Sequence, residues 1–403
     1  MERYGIAILN APLHRRERSA AVAEGIYLDN HALTPVDSRV AAAVHAEMML
    51  FPGNANSTLH THGERASRRL LSSAVAVADL FGAESDDVRF TSSATEALRL
   101  ALAHAAGRRP HAPLRIAVST IEHPALLEMV HHGQRAGAFA VKWIACDELA
   151  RIPLEEIERV LDAGVDLLCV MAANNEVGTV QPLPEISDRV AKAGAKLLVD
   201  ASQAAGRLPI DMTRLGLSYL VISGHKLYGP SGIGALVGPG LAEARFDWPV
   251  GGHEPTPNVP GAVGLAEACR LRQAEMAADE AVIGRLRDRL QAALLNAVPD
   301  ITVNGDLGSR LAGNLHLSAR GAPNDQVVAG LRGAVSISTG AACAAGADAP
   351  SHVLRAMRLS EWRQEGALRI GVGKFNTVEE IDVAAQAIAQ AITEVRQRLG
   401  TTL

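Results

Sequence analysis

The sequence predicts an α/β fold: a large domain on a mostly parallel seven-stranded sheet, followed by a smaller α+β domain. Three observations carry this. Short β-branched or apolar runs alternate with helical stretches as far as Val237. A Gly/Pro-rich stretch, Val250–Gly264, then marks a shift in composition, after which long helical runs mix with isolated strands. At 403 residues the chain is long enough for two or three domains of roughly 150 residues each. The expected division is 36–262 for the large domain, with 1–35 and 263–403 together making the small one.

Strands are expected at Val88–Thr91, Arg115–Ser119, Ala138–Ile144, Asp166–Ala172, Lys196–Asp200, Tyr219–Ser223 and Ile233–Val237. Helices separate several of them: in Ala94–Ala105 the apolar Ala97, Leu98, Ala101 and Leu102 share one face. A long helix is expected over Leu265–Ala297, and later strands at Gly313–Leu317 and Leu368–Ile370. Val378, Ile381, Ala385, Ile388, Ile392, Val395 and Leu399 follow helical spacing, with Thr377 and Glu380 as a capping box and Gly400 as the stop. In such a sheet, ligands bind at the carboxyl ends of the strands.

Apolar residues at 48% and charged ones at 21% fit a soluble globular chain and exclude disordered, collagen-like and disulfide-scaffold classes. No apolar run reaches the ~18 residues of a membrane span, so none is expected. The net charge of −5 and the lack of a long basic block exclude nucleic acid as the main partner. Met1 to about Gly25 has no apolar core for a secretory signal and reads as a short surface extension. Cys146, Cys169 and Cys269 fall in or beside strand-like and helical runs, as buried small hydrophobes do; with no CxxC pair, the pattern fits a reducing cytoplasm. His60 and His62 lack a second ligand cluster, and the glycine spacing of GVGKF is wrong for a phosphate loop, so neither a metal nor a nucleotide site is read there.

Five lysines leave few candidates for amine chemistry, and Lys226 stands out. It follows an apolar strand in Ser223-Gly224-His225-Lys226, where desolvation favours a neutral, nucleophilic amine suited to carbonyl substrates. Asp200 ends another apolar strand; it could pair with a protonated pyridine nitrogen or simply cap the next helix, and Gln203 lies three residues on. The turn Thr91-Ser92-Ser93-Ala94-Thr95 opens a helix, and with Ser223 and His225 its free N–H groups could cup a phosphate. His123 follows a strand and could stack on a planar ring and move protons. Arg369 could clamp a carboxylate. Cys343 lies in a stretch of small residues, Ser338–Gly346, where an exposed thiol could react.

Together these segments resemble the cysteine desulfurases, of the class V aminotransferase group with the fold-type-I PLP architecture. The matching stretches, in the family's order, are YLDNHALTPVD, GNANSTLH, FTSSATEA, EHPALLE, NNEVGTVQPL, VDASQAAGRLPID, SGHKLYGPSGIGAL, STGAACAAGADAPSHVLRAM and RIGVGKFNTVEEID. The cysteine stretch looks like that of the long-loop group. The resemblance implies pyridoxal 5'-phosphate (PLP) held by the ε-nitrogen of Lys226, with Asp200 at the pyridine nitrogen and Gln203 at the phenolic oxygen. It implies His123 stacked on the ring, and Ala94, Thr95, Ser223 and His225 around the phosphate. Asn175 and Arg369 would orient the substrate carboxylate, Asn175 also standing near the ring. Thr256 would reach a partner subunit's phosphate site. Cys343 would take sulfur from L-cysteine as a persulfide, release L-alanine, and pass the sulfur to an acceptor protein, as in iron–sulfur cluster assembly. A cytoplasmic homodimer is implied as well. A PLP-dependent lyase such as a selenocysteine lyase, and a degenerate acceptor-binding homologue, are the alternatives. The sequence departs from the family pattern where Gly251-Gly252-His253-Glu254 runs directly into Pro255-Thr256, and at Leu33, Ser93, Ala97 and Arg99.

Overall fold

The structure, a computed structural model, describes residues 25–109, 111–241, 256–339 and 351–400. Cys343, Gly251–Pro255 and nearly all of the N-terminal extension lie outside the described residues. Among the described residues twelve strands follow in chain order: β1 (Ile26–Tyr27), β2 (Val88–Thr91), β3 (Leu114–Ser119), β4 (Phe139–Ile144), β5 (Leu167–Met171), β6 (Lys196–Asp200), β7 (Tyr219–Ser223), β8 (Gly234–Val237), β9 (Ile301–Val303), β10 (Asn314–Ala319), β11 (Val335–Ser336) and β12 (Ala367–Gly371).

Seven of them form one sheet in the order β2-β8-β7-β6-β5-β3-β4. Its central pairs are parallel; β8 alone runs against its neighbours β2 and β7. The strands read as continuous apolar runs because both faces are covered. Ile116, Val118, Leu167 and Cys169 pack with the Ala94–Gly107 and Pro124–Arg135 helices, while the alternate residues Ala117, Leu168 and Val170 belong to a core on the opposite face.

A second core gathers the antiparallel sheet β12-β10-β9, the Val378–Leu399 helix and Leu28. The helix begins and ends as the sequence expects: Thr377 and Glu380 form the capping box, and Gly400 stops it in the left-handed conformation at φ 64°. β1 pairs in parallel with β11, which places the start of the described chain beside residues more than three hundred positions away.

The long helix starts earlier than expected, at Val259 rather than Leu265. The Asn258 side chain caps Gly261 N–H, and Pro260 sits in the first turn, where no hydrogen bond is lost. Its 39 residues span about 58 Å. Leu265, Ala268 and Cys269 serve the sheet core, and Ile283, Leu286, Leu290 and Leu294 the second. The helix thus runs through the expected division at 262 and ties the two cores together. Arg272, buried at its middle, donates to Gly206 O (2.7 Å) and Glu280 (3.0 Å), fixing the helix to the turn after β6. Among the described residues no helix is long and apolar enough to cross a membrane.

Candidate active site

Five strands of the main sheet end at one place, and a functional side chain follows each. After β2 comes the start of the Ala94–Gly107 helix, after β3 His123, after β5 Asn175, after β6 Asp200 to Gln203, and after β7 Lys226 on a 3-10 turn. Together with Ser223, His225 and Arg369 they line a cavity of about 310 Å³. Among the described residues, every site residue expected from the sequence lies on it except Thr256. Thr256 lines a different cavity with Ser92 and Glu96.

The helix start is built for close approach. Ser93 caps it by accepting from Glu96 N–H (3.2 Å), and Glu96 turns back to accept from Ser92 N–H (2.7 Å). Behind it, Gly234 on β8 has no room for a side chain: a Cβ there would lie 3.1 Å from Ala94 N and 2.7 Å from Ile222 O. Ala94 and Thr95, in the first turn, line the same cavity as Ser223 and His225, whose Oγ and Nδ1 are 3.0 Å apart. Burial, with the Lys226 charge adding, pushes His225 down to about 4, so it is neutral at pH 7. Backbone donors at a helix start and small hydroxyls form a phosphate-binding set.

Lys226 Nζ donates to His31 O and to Ala32 O (2.8 Å), and Arg207 holds the Lys226 carbonyl at 3.1 Å. Asp200 Oδ1 accepts from Ser202 N–H at 2.9 Å. His123 accepts from Ala125 N–H through Nδ1 (3.2 Å), which puts the proton of its neutral ring on Nε2. Burial lowers its pKa, against the pull of Asp200. Arg369, on β12, donates to Asn175 O (3.2 Å) and Asp29 Oδ1 (3.0 Å).

Four buried polar atoms on residues lining this cavity have no protein partner: His31 Nε2, Asn175 Oδ1, Ser202 Oγ and Arg369 Nε. Each such atom costs about 1–3 kcal/mol unless something polar meets it. A carboxylate, an amine, an amide, imidazoles and a phosphate cup in one cleft fit a phosphorylated pyridine carrying an aldehyde and a phenolic oxygen.

The aminotransferase class-V family model matches residues 26–383. The cysteine desulfurase IscS of Anaeromyxobacter dehalogenans is 34% identical over 379 residues, covering 92% of this chain and 93% of that one. The chain belongs to the cysteine desulfurase family. A Nostoc cysteine desulfurase is 35% identical over 380 residues, covering 92% of this chain and 94% of its own. Among solved structures, a NifS-like protein superposes with a TM-score of 0.85 at 30% identity, over 92% of this chain and all of that one. The structure titled "SspA in complex with cysteine" has a TM-score of 0.76 at 26% identity, over 87% of this chain and all of its own.

In this cysteine desulfurase family member the described residues on either side of Cys343 make defined contacts. Ser338 exchanges backbone hydrogen bonds with Arg369 (2.7 and 3.1 Å). Ser351 Oγ donates to Glu176, and His352 Nε2 lies 2.9 Å from Glu122 O. The other cysteines are buried, as the sequence expects. Burial holds Cys146 at about 11, Cys269 at about 12 and Cys169 well above its usual value, so none is a ready thiolate.

Sequence reasoning missed His31, Arg207 and Glu122. His31 and Arg207 sit inside quoted motifs, but no periodicity marks them, because their partners are over 170 residues apart in the chain. Glu122, just before His123, is wholly buried; its Oε1 accepts from Ser119 Oγ (2.7 Å) and Met171 N–H (2.8 Å), and Oε2 has no partner. Burial raises its pKa to about 8 from an ordinary 4.5. The folded state therefore favours the protonated carboxyl, a stability contribution complete below 4.5 and lost as pH rises through 8. Between pH 6 and pH 9 this group alone removes about 3 kcal/mol. Glu122→Gln is expected to flatten that loss, so thermal melts at the two pH values should differ less in the variant. An equal pH slope in both proteins would refute the assignment.

Proposed function

We propose that the cavity holds PLP and that the protein is a PLP-dependent cysteine desulfurase, converting L-cysteine to L-alanine and carrying the sulfur on Cys343. The observation that carries this is Lys226 at the end of β7, in one cavity with Asp200, Gln203 and the start of the Ala94–Gly107 helix.

In this reading Lys226 holds the cofactor through Nζ. Asp200 pairs with the pyridine nitrogen, Gln203 with the phenolic oxygen and His123 with the ring face. Ala94, Thr95, Ser223 and His225 bind the phosphate. When bound, PLP supplies an electron sink that makes the Cα proton of an amino acid acidic. Lys226 Nζ then takes that proton and His123 Nε2 assists its return. Arg369 and Asn175 hold the carboxylate. Cys343 attacks the substrate sulfur as a thiolate: its S–S bond forms while the substrate C–S bond breaks, and the three-carbon fragment leaves as alanine after taking up a proton. Such a thiolate needs a reducing compartment, which supports a cytoplasmic location. The persulfide then passes to an acceptor protein.

A homodimer is part of the proposal. Met48, Met49, Leu50, Leu59, Leu71 and Val75 are exposed on and between the Ser38–Leu50 and Thr61–Phe81 helices, apolar side chains that a second copy would cover. In the dimer, Thr256 would serve the phosphate site of the partner copy. The large and small domains are proposed to divide as the sequence suggests, at 36–262 and at 1–35 with 263–403, joined by the Val259–Ala297 helix.

The test is turnover. Purified protein with bound PLP, given L-cysteine and a thiol reductant, is expected to release alanine and sulfide in equal amounts. PLP bound with neither product formed would reject the proposal.

A further inference from the structure

We infer that His31 donates a hydrogen bond from Nε2 to the carboxylate of the amino-acid substrate, as a further carboxylate-binding residue beside Arg369 and Asn175. The inference rests on the reading of the cavity as a PLP and amino-acid site, and it deepens that reading.

His31 is 1% exposed and lines the cavity. Its Nδ1 lies 2.9 Å from Arg207 Nη1 and 3.1 Å from Gln203 Oε1. A guanidinium has donors only, so at 2.9 Å Nδ1 must accept. Gln203 Oε1, 3.1 Å from Nδ1, is a second acceptor on the same Arg207 nitrogen (3.3 Å), which is the donor the two share, while Gln203 Nε2 donates to His31 O (2.9 Å). The neutral ring therefore carries its proton on Nε2, and that N–H has no protein partner.

The charges around the ring decide what the N–H meets. Arg207, Arg369 and Lys226 all act on His31, and with burial they keep it neutral, far below its ordinary pKa. An uncharged donor in so positive a setting fits an anionic acceptor. Arg369 leaves room for a second donor: both its terminal nitrogens already donate to Asn175 O and Asp29, and Nε is the nitrogen without a partner. His31 and Arg369 thus each bring an unpartnered buried N–H on a residue lining the one cavity, donors that an anionic group can satisfy.

The experiment uses PLP-loaded enzyme, with His31→Ala, His31→Phe and His31→Gln beside the wild type. The cofactor absorbance is titrated with L-alanine and with L-alaninamide, which lacks the carboxylate, and bound PLP is measured in each protein. In the two donor-less variants L-alanine is expected to bind roughly ten- to a hundredfold more weakly, the range for a hydrogen bond to a charged group. L-alaninamide should change little, and PLP content should hold. The KM for L-cysteine should rise more than kcat falls, and His31→Gln, which keeps an N–H donor, should recover much of the loss. His31→Phe preserves the ring volume should the alanine variant fail to fold. Equal effects on both ligands, or loss of PLP without any change in ligand preference, would overturn the assignment of His31 alone. A wild type that takes up no PLP would overturn the cofactor reading, and this inference with it.

Discussion

Lys226→Ala is expected to cut L-cysteine turnover by about four orders of magnitude, the upper range for a positioned proton-transfer group. It is also expected to lose the cofactor's covalent attachment. The site has no substitute amine. Of the other lysines, Lys374 is buried in an ion pair with Asp37 (2.6 Å), and Lys142, Lys192 and Lys196 lie away from the cavity lining. Lys226 is also held in place from both ends, by Arg207 on its carbonyl and by the His31 and Ala32 carbonyls on its Nζ. Borohydride reduction of the loaded enzyme followed by peptide mapping checks the attachment directly. A label on another residue, or a Lys226→Ala protein with undiminished turnover, would end the proposal.

Cys343→Ser is expected to remove protein-bound sulfur altogether and to lower sulfide release by at least about three orders of magnitude. A hydroxyl cannot hold a persulfide, and the buried Cys146, Cys169 and Cys269 cannot replace the thiol. PLP binding and the spectral response to L-cysteine should survive, since Cys343 has no part in either. The measurement is protein-bound label after incubation with sulfur-labelled cysteine, with sulfide followed in parallel. Sulfide release at the wild-type rate would mean that carbon–sulfur cleavage needs no thiol, which is lyase chemistry.

Much of the architecture was legible in the chain. β2, β6 and β7 lie at the positions expected, and β3, β4, β5 and β8 differ by a residue or two at their ends. Strands buried on both faces announce themselves as unbroken apolar runs. The reversed direction of β8 was not legible, because direction depends on how the preceding turn closes and not on hydrophobic pattern. β1 and β11 were missed because two residues are too few to show a period. Of the residues lining the cavity, Lys226, Asp200 and the Ser93–Thr95 turn were readable because each stands at the end of a strand that declares itself. Arg369 was readable by its strand, but its pairing with Asp29 was not. His31 and Glu122 gave no local signal; they matter through contacts that only folding brings together.

The Asp29–Arg369 ion pair closes 340 residues of chain. A growing polypeptide therefore cannot complete the proposed substrate clamp until nearly all of it has left the ribosome. Truncated translation products, even those long enough to fold the main sheet and capture B6 vitamer, should be unable to hold an amino acid, and so should be unable to generate loose sulfide in the cell.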